Sequence, residues 1–269
     1  TLVMLILRNV YNEMNCTFMY GGDMTNSEIK NEAKTILSNL QGKNQLFLLP
    51  ILLSIITLYI SFYYQYNNMT LLDFFVPLPV YFFYTLFIIS VSFVMLDVVK
   101  NQKLNVRFSD NTYVFSSHIF WKLLSVLVLK GLILSFFYLL STFGLLIIIS
   151  SFRLLLSGNL ILAPVLIVVS SLITTKAVIK LVQQYYSYSI STLVFYTQLE
   201  SGNYEGPSKV LVASRELMNG NKLRLFLLDL SFIGWHFLTI FSFGLVYIYL
   251  LPYQTTARLI FYRNITKNS

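Results

Sequence analysis

Charge is scarce in this chain. Asp, Glu, Lys and Arg together make up 11% of its 269 residues, against about 25% in soluble proteins. Hydrophobic residues account for 56% of the chain, and the mean hydropathy is +0.68. This composition excludes an independent soluble domain and leaves room for one domain built in a membrane.

Cysteine and catalytic motifs are also scarce. The only cysteine is Cys16, which excludes disulfides and thiolate metal sites within the membrane domain. The sequence contains no H-E-x-x-H, no G-x-S-x-G, no carboxylate pair within an apolar block and no phosphate- or dinucleotide-binding glycine loop. We therefore expect no enzymatic activity, no cofactor and no metal site.

What the chain has instead is five long apolar blocks, each close to twenty residues and nearly free of charge. A helix needs about 20 apolar residues to cross a hydrocarbon core of about 30 Å, and a single segment in lipid satisfies its backbone only as a helix. The sequence therefore predicts an all-α fold, a polytopic helical membrane bundle. The blocks are 46–64, 80–99, 131–150, 160–175 and 225–251.

The last block leaves the number of spans open. As one span, residues 225–251 extend about 40 Å at 1.5 Å per residue, which requires tilt and leaves the basic C-terminal tail outside. Alternatively the chain breaks near Gly244, and residues 245–262 return as a sixth span that is kinked at Pro252. We favour six spans over five.

Basic residues set the expected orientation. The net charge of +8 lies in short loops beside the apolar blocks, which follows the positive-inside rule and favours anionic lipid headgroups over nucleic acid as the partner. The N-terminus and the connection 183–224 are predicted to be cytoplasmic. The candidate headgroup contacts are Lys100, Lys103, Arg107, Lys176 and Lys180.

The first 23 residues differ from the rest of the chain. Residues 1–7 are apolar without a basic region before them, so they match no clean signal peptide, and residues 2–10 are too short for an anchor that spans. Gly21, Gly22 and Asp23 could be encoded by a purine-rich ribosome-binding site. We therefore expect translation to begin at Met24 and residues 1–23 to be a misread or disordered leader.

Residues 24–45 predict an amphipathic helix. Thr25 and Glu28 have the spacing of a capping box, and the apolar residues that follow fall on one helical face. Such a helix lies on a membrane surface or packs on its own protein, and both interpretations stay open. Residues 46–265 form the predicted membrane domain.

Ionisable groups near the apolar blocks are the candidate functional residues, because charge at the bilayer centre is costly. Lysines extend their ammonium groups to the headgroups, so Lys122 and Lys130 are predicted to be structural. Asp229 cannot extend as far. We expect it to pair with Lys122, Lys130 or Arg224 and fix the packing of its helix, with ion or proton coupling as the alternative. His236 stands alone, which favours a packing role over metal binding.

The fourth block carries a group of small polar residues. Such residues are commonly helix-packing contacts, and they could also line a polar path. The group consists of Ser170, Ser171, Thr174 and Thr175.

The C-terminal third resembles a known family. Its motifs lie in a fixed order at residues 214–222 (SRELMNGNK), 228–235 (LDLSFIGW), 243–244 (FG), 252–253 (PY) and 257–263 (ARLIFYR). With residues 32–34 (EAK) and 186–189 (YSYS), they are similar to the bacterial integral-membrane family called domain of unknown function 975. The resemblance covers about residues 24–265. It implies location and architecture, and it supplies no activity and no catalytic residues.

Two functions follow as predictions. The first is a non-catalytic accessory or organising protein of the bacterial plasma membrane, which recruits lipid or a membrane-protein partner through the connection 183–224 and the N-terminal helix. The second is a small-molecule or lipid transporter with a path through the later spans. An intramembrane enzyme is a distant third, and the lack of an internal repeat favours the first.

Overall fold

A computed structural model describes residues 24–66, 75–101, 105–159 and 161–267. Within these ranges the chain is helical and has no strand, which confirms the predicted fold class. The predicted leader lies outside the described residues. The helices are α1 (Asn26–Asn39), α2 (Lys43–Tyr66), α3 (Pro77–Asn101), a 3-10 helix (Phe108–Phe115), α4 (Ser117–Leu156), α5 (Leu162–Ser187), α6 (Ser191–Glu200), α7 (Pro207–Leu217), α8 (Lys222–Leu230), α9 (Ile233–Phe241) and α10 (Tyr247–Lys267).

Five helical stretches of the described chain are long and apolar enough to cross a membrane, judged by length and composition. Each contains all or most of one predicted apolar block. The C-terminal helix α10 is not among them, so the choice between five and six spans stays a prediction. The five stretches are Lys43–Tyr64, Pro77–Lys100, Ser117–Leu156, Leu162–Glu200 and Lys222–Phe241.

The chain divides into two compact units. The terminal unit comprises residues 24–123 and 224–267 of the described chain, and the central unit comprises residues 124–223. In the terminal unit, α10 packs against α1, α2 and α3. Its buried side chains include Ala257, Ile260 and Phe261, so the core of this unit forms around the C-terminal helix.

Helix α1 begins with the predicted capping box. The Thr25 amide donates to the Glu28 carboxylate at 2.7 Å, and the Glu28 amide donates to the Thr25 hydroxyl at 3.3 Å. These hydrogen bonds lower the pKa of the Glu28 carboxyl below its usual value. The apolar face, Ile29, Ala33 and Leu37, is buried, and α1 packs on α10. Of the two interpretations left open by the sequence, the structure therefore has the helix packed on its own protein.

In the central unit, small side chains bring α4 and α5 together. Ser141 and Gly144 of α4 are buried, as are Ser170 and Thr174 of α5. A Cβ atom at Gly144 would overlap the Thr174 hydroxyl, so the backbones approach closely there. Such contacts let helices associate in lipid, where the hydrophobic effect contributes nothing between them. Of the two interpretations that the sequence left open for these small polar residues, the close approach at Gly144 favours the packing contact for Thr174.

The connection between the fourth and fifth apolar blocks is folded. Helices α6 and α7 pack on one another, and the Ser214 hydroxyl of α7 donates to the Ser187 carbonyl of α5 at 2.8 Å. Apolar side chains such as Phe195 and Val210 are buried. The polar connection 183–224 is thus a helical layer attached to the end of α5.

Candidate functional site

Asp229 forms a bidentate ion pair with Arg258. The two guanidinium nitrogens, Nε and Nη2, donate to the two carboxylate oxygens at 2.8 and 2.7 Å. The Asp229 side chain is 14% exposed and that of Arg258 is 38% exposed. The sequence correctly predicted a cation for Asp229 but proposed Lys122, Lys130 or Arg224; its bidentate partner comes from α10. The pair therefore supports a structural role for Asp229.

Aromatic contacts between the segment 232–235 and α10 place Arg258 beside Asp229. Phe232 stacks edge-on against Tyr253 with ring centroids 5.1 Å apart, and Trp235 lies 5.4 Å from Tyr249. Along α8 and α9 the contacting residues increase in residue number from Asp229 to Trp235, while their partners on α10 decrease in residue number from Arg258 to Tyr249. The two segments therefore run antiparallel. The reversal near Gly244, which the sequence predicted, creates this pairing.

A second ion pair attaches α1 to the end of α10. Arg263 donates from Nη2 to both Glu32 oxygens, at 2.6 and 2.8 Å, and from Nη1 to the Val99 carbonyl of α3 at 3.2 Å. One guanidinium thus connects three helices. Sequence analysis missed this contact because Glu32 and Arg263 are separated by almost the whole chain.

Two lysines of α1 lie over the aromatic rings of Phe232 and Tyr253. The Lys30 ammonium donates to the Ser231 carbonyl at 2.9 Å and lies 4.5 Å from the centroid of the Phe232 ring, while Lys34 lies 5.7 Å from that of Tyr253. Burial, and secondarily the charge of Lys34, lowers the pKa of Lys30. Ser231 and Phe232 form the turn between α8 and α9, so Lys30 stabilises this interruption.

Three cations of the central unit define the basic cluster: Lys180 of α5, Arg215 of α7 and Lys222 at the start of α8. Lys222 is half-buried, with Lys180 and Arg215 within electrostatic reach. The other two side chains are exposed. Sequence analysis proposed Lys180 as a headgroup contact and the connection 183–224, which contains Arg215 and Lys222, as a segment that recruits lipid. It did not place the three residues together, because only the folded connection brings α7 and α8 to α5.

The other predicted residues are dispersed. Lys122 contacts the His118 ring at 3.1 Å, Lys130 is half-buried in α4, and His236 is half-buried in the first turns of α9. Among the described residues, no three His, Cys, Asp or Glu side chains lie close enough to hold a metal ion. The roles of the remaining headgroup candidates stay predictions. Of these, Lys100, Arg107 and Lys176 are exposed, and Lys103 lies outside the described residues.

Five helices that are long and apolar enough to span a membrane give the described chain the character of an α-helical membrane protein. Residues 19–269 match the family described as Protein of unknown function (DUF975). The chain belongs to this family, which confirms the resemblance seen in the C-terminal motifs. No curated protein and no solved structure matches the chain.

Proposed function

We propose that this protein is a non-catalytic accessory protein of the bacterial plasma membrane and that its basic cluster binds anionic lipid headgroups at the cytoplasmic face. The observation that carries the proposal is that Lys180 and Arg215, from two other helices, lie within electrostatic reach of the half-buried Lys222. Cations held together repel one another, and a phosphate bound between them replaces that repulsion with attraction.

The surroundings of the basic cluster also favour a headgroup. Lys176 is exposed one turn before Lys180 on α5, and both lie where an apolar helix meets the polar connection. Basic side chains at such a boundary contribute about 1 kcal/mol each to binding an anionic membrane surface. The buried Ser214 hydroxyl fixes α7, which carries Arg215, against α5, which carries Lys180.

The experiment compares two variants with the same change of charge. One neutralises the basic cluster (Lys180→Gln, Arg215→Gln, Lys222→Gln), and the other neutralises cations elsewhere (Arg153→Gln, Lys209→Gln, Lys267→Gln). Each protein is purified in mild detergent, and bound phosphatidylglycerol and cardiolipin are measured by mass spectrometry. We expect at least a fivefold loss of anionic lipid in the first variant, which is the effect of about 1 kcal/mol from only one of the three cations, and little change in the second.

Two results would contradict this function. Equal lipid retention in both variants would remove the basic cluster as a headgroup site. A stoichiometric protein that copurifies with the native chain and is lost with the basic cluster would make that protein the ligand. Proteomics on the same sample detects it.

A lipid or small-molecule transporter is the second candidate, and the turn between α8 and α9 favours it. Many transporters bind substrate at helices that are interrupted, and Lys30 lies at such an interruption. Vesicles that contain the purified protein and a fluorescent phosphatidylglycerol test lipid transport. If the protein is an accessory protein, dithionite bleaches only the fluorescent lipid of the outer leaflet. If the protein moves lipid between the leaflets, dithionite bleaches the fluorescent lipid of both.

A further inference from the structure

The turn of the hairpin of α9 and α10 contacts the middle of α2. A Cβ atom at Gly244, in the turn between the two helices, would lie 3.5 Å from the Ile55 side chain. Ile55 lies halfway along α2 (Lys43–Tyr66), about 18 Å from its start at 1.5 Å per residue. Since α2 is one of the helices long enough to cross a membrane, its midpoint marks the middle of the bilayer.

The other end of α10 lies at the end of the unit where α2 begins. Arg263 bonds to the Val99 carbonyl, near the C-terminal end of α3, and to Glu32 of α1, the helix that precedes α2. Helix α10, whose 21 residues extend about 31 Å, therefore runs from the middle of α2 past the level of its start. Helix α9 has only nine residues, about 14 Å, which is half of a hydrocarbon core of about 30 Å.

The position of the ion pair of Asp229 and Arg258 also agrees with a turn at the middle of the bilayer. Asp229 precedes Phe241, the last residue of α9, by about 18 Å along the helices. With the turn at the bilayer centre, the pair lies just beyond the hydrocarbon boundary, about 15 Å from that centre. With the turn at the far surface, the pair would lie within about 3 Å of the centre, where charged groups are most costly.

The side chains and the backbone of the turn suit a hydrocarbon environment. Phe241, Phe243 and Leu245 are 79%, 82% and 66% exposed, and no Asp, Glu, Lys or Arg occurs between Asp229 and Arg258. Every backbone N–H from Ser242 to Tyr249 has an acceptor, including the Gly244 amide on the Thr239 carbonyl at 2.9 Å. Gly244 has φ +89°, which a glycine adopts without steric cost.

We propose that α9 and the first turns of α10 form a re-entrant hairpin, whose turn at residues 242–246 is surrounded by lipid acyl chains near the bilayer midplane. Backbone at this depth has to satisfy its own hydrogen bonds, and the amides of this turn do so. The hairpin enters and leaves on the side where α2 begins, so it contributes no crossing. This inference is independent of the ligand of the basic cluster.

Spin labels measure the depth of the turn directly. In a Cys16→Ser chain, a label at Phe243→Cys is compared with labels on α2, at Ile56→Cys for the midplane and at Tyr63→Cys for the far surface. Both α2 positions are exposed. In lipid bilayers, collisions with oxygen increase toward the midplane, and collisions with a water-soluble nickel complex increase toward the surface.

We expect the oxygen-to-nickel ratio at Phe243→Cys to match that at Ile56→Cys. A ratio equal to that at Tyr63→Cys would overturn the proposal and establish a hairpin that crosses the membrane. Leu245→Cys repeats the measurement at a neighbouring exposed position, so the result does not depend on one variant. An impermeant maleimide applied from the far side should label Tyr63→Cys and leave Phe243→Cys unmodified.

Discussion

At the scale of single residues, a substitution of Asp229 distinguishes a structural role of its ion pair with Arg258 from a role in ion or proton coupling. Asp229→Asn leaves a partly buried guanidinium without its carboxylate. Since Arg258 is more than a third exposed, solvent screens the loss, and we expect a cost of about 1–2 kcal/mol. Thermal unfolding of the purified protein measures it, and Asp229→Arg with Arg258→Asp should recover part of the stability.

The matched control for this change is Glu205→Gln. Glu205 pairs with Lys209 at 3.8 Å on an exposed surface, so its neutralisation should alter stability by less than about 1 kcal/mol. If Asp229→Asn were as stable as the control and still abolished a cellular phenotype, the structural role would give way to ion or proton coupling.

At the scale of helices, Gly144 controls the contact of α4 with α5. Gly144→Ala places a methyl group on the Thr174 hydroxyl, so the two backbones have to separate. We expect a loss of about 1–3 kcal/mol, typical of an overpacked contact, and a lower unfolding temperature. Gly131→Ala is the control on the same helix, since open space surrounds Gly131 and alanine favours a helix by about 1 kcal/mol.

Adding Thr174→Ala to Gly144→Ala removes the hydroxyl that the new methyl group meets. The double variant should therefore be more stable than Gly144→Ala alone. Equal stability of the two would mean that the close approach at Gly144 does not limit how these helices pack.

The contact of α1 with α10 gives a second prediction at this scale. Ala33 is fully buried in the apolar face of α1, and leucine there would push the helix away from α10. We expect Ala33→Leu to lower stability by about 1–3 kcal/mol and to increase proteolysis of residues 26–39. Thr35→Leu, on the exposed face of α1, is the control and should leave cleavage unchanged.

The helices show which parts of this fold a sequence reveals. The capping box of Thr25 and Glu28 depends on residues three positions apart, and each apolar block carries its own signal, so both were predictable. The packing of α10 on α1 was not predictable, because polar side chains interrupt the apolar pattern of α10. The turn at Ser231 contains neither proline nor glycine, and its support, Lys30, comes from the other end of the chain. The basic cluster likewise depends on three separate helices.

At the scale of the whole molecule, α4 tests the predicted orientation. Its 40 residues extend about 60 Å, twice a hydrocarbon core of about 30 Å. The uncharged stretch 131–150 fits that core, so residues 117–130, with Lys122 and Lys130, should extend from one surface. The positive-inside rule assigns this surface to the cytoplasm.

Two cysteines at opposite ends of α4 check this assignment in a Cys16→Ser chain. Trp121 and Leu156 are both exposed, and 35 residues of helix place them about 52 Å apart, on opposite sides of the membrane. An impermeant maleimide should modify Trp121→Cys only in inside-out vesicles and Leu156→Cys only in right-side-out vesicles. The reverse pattern would place the basic cluster outside and remove the cytoplasmic leaflet as its source of headgroups. Modification of both from one side would mean that α4 does not cross, because a crossing helix of this length has to expose its ends to different compartments.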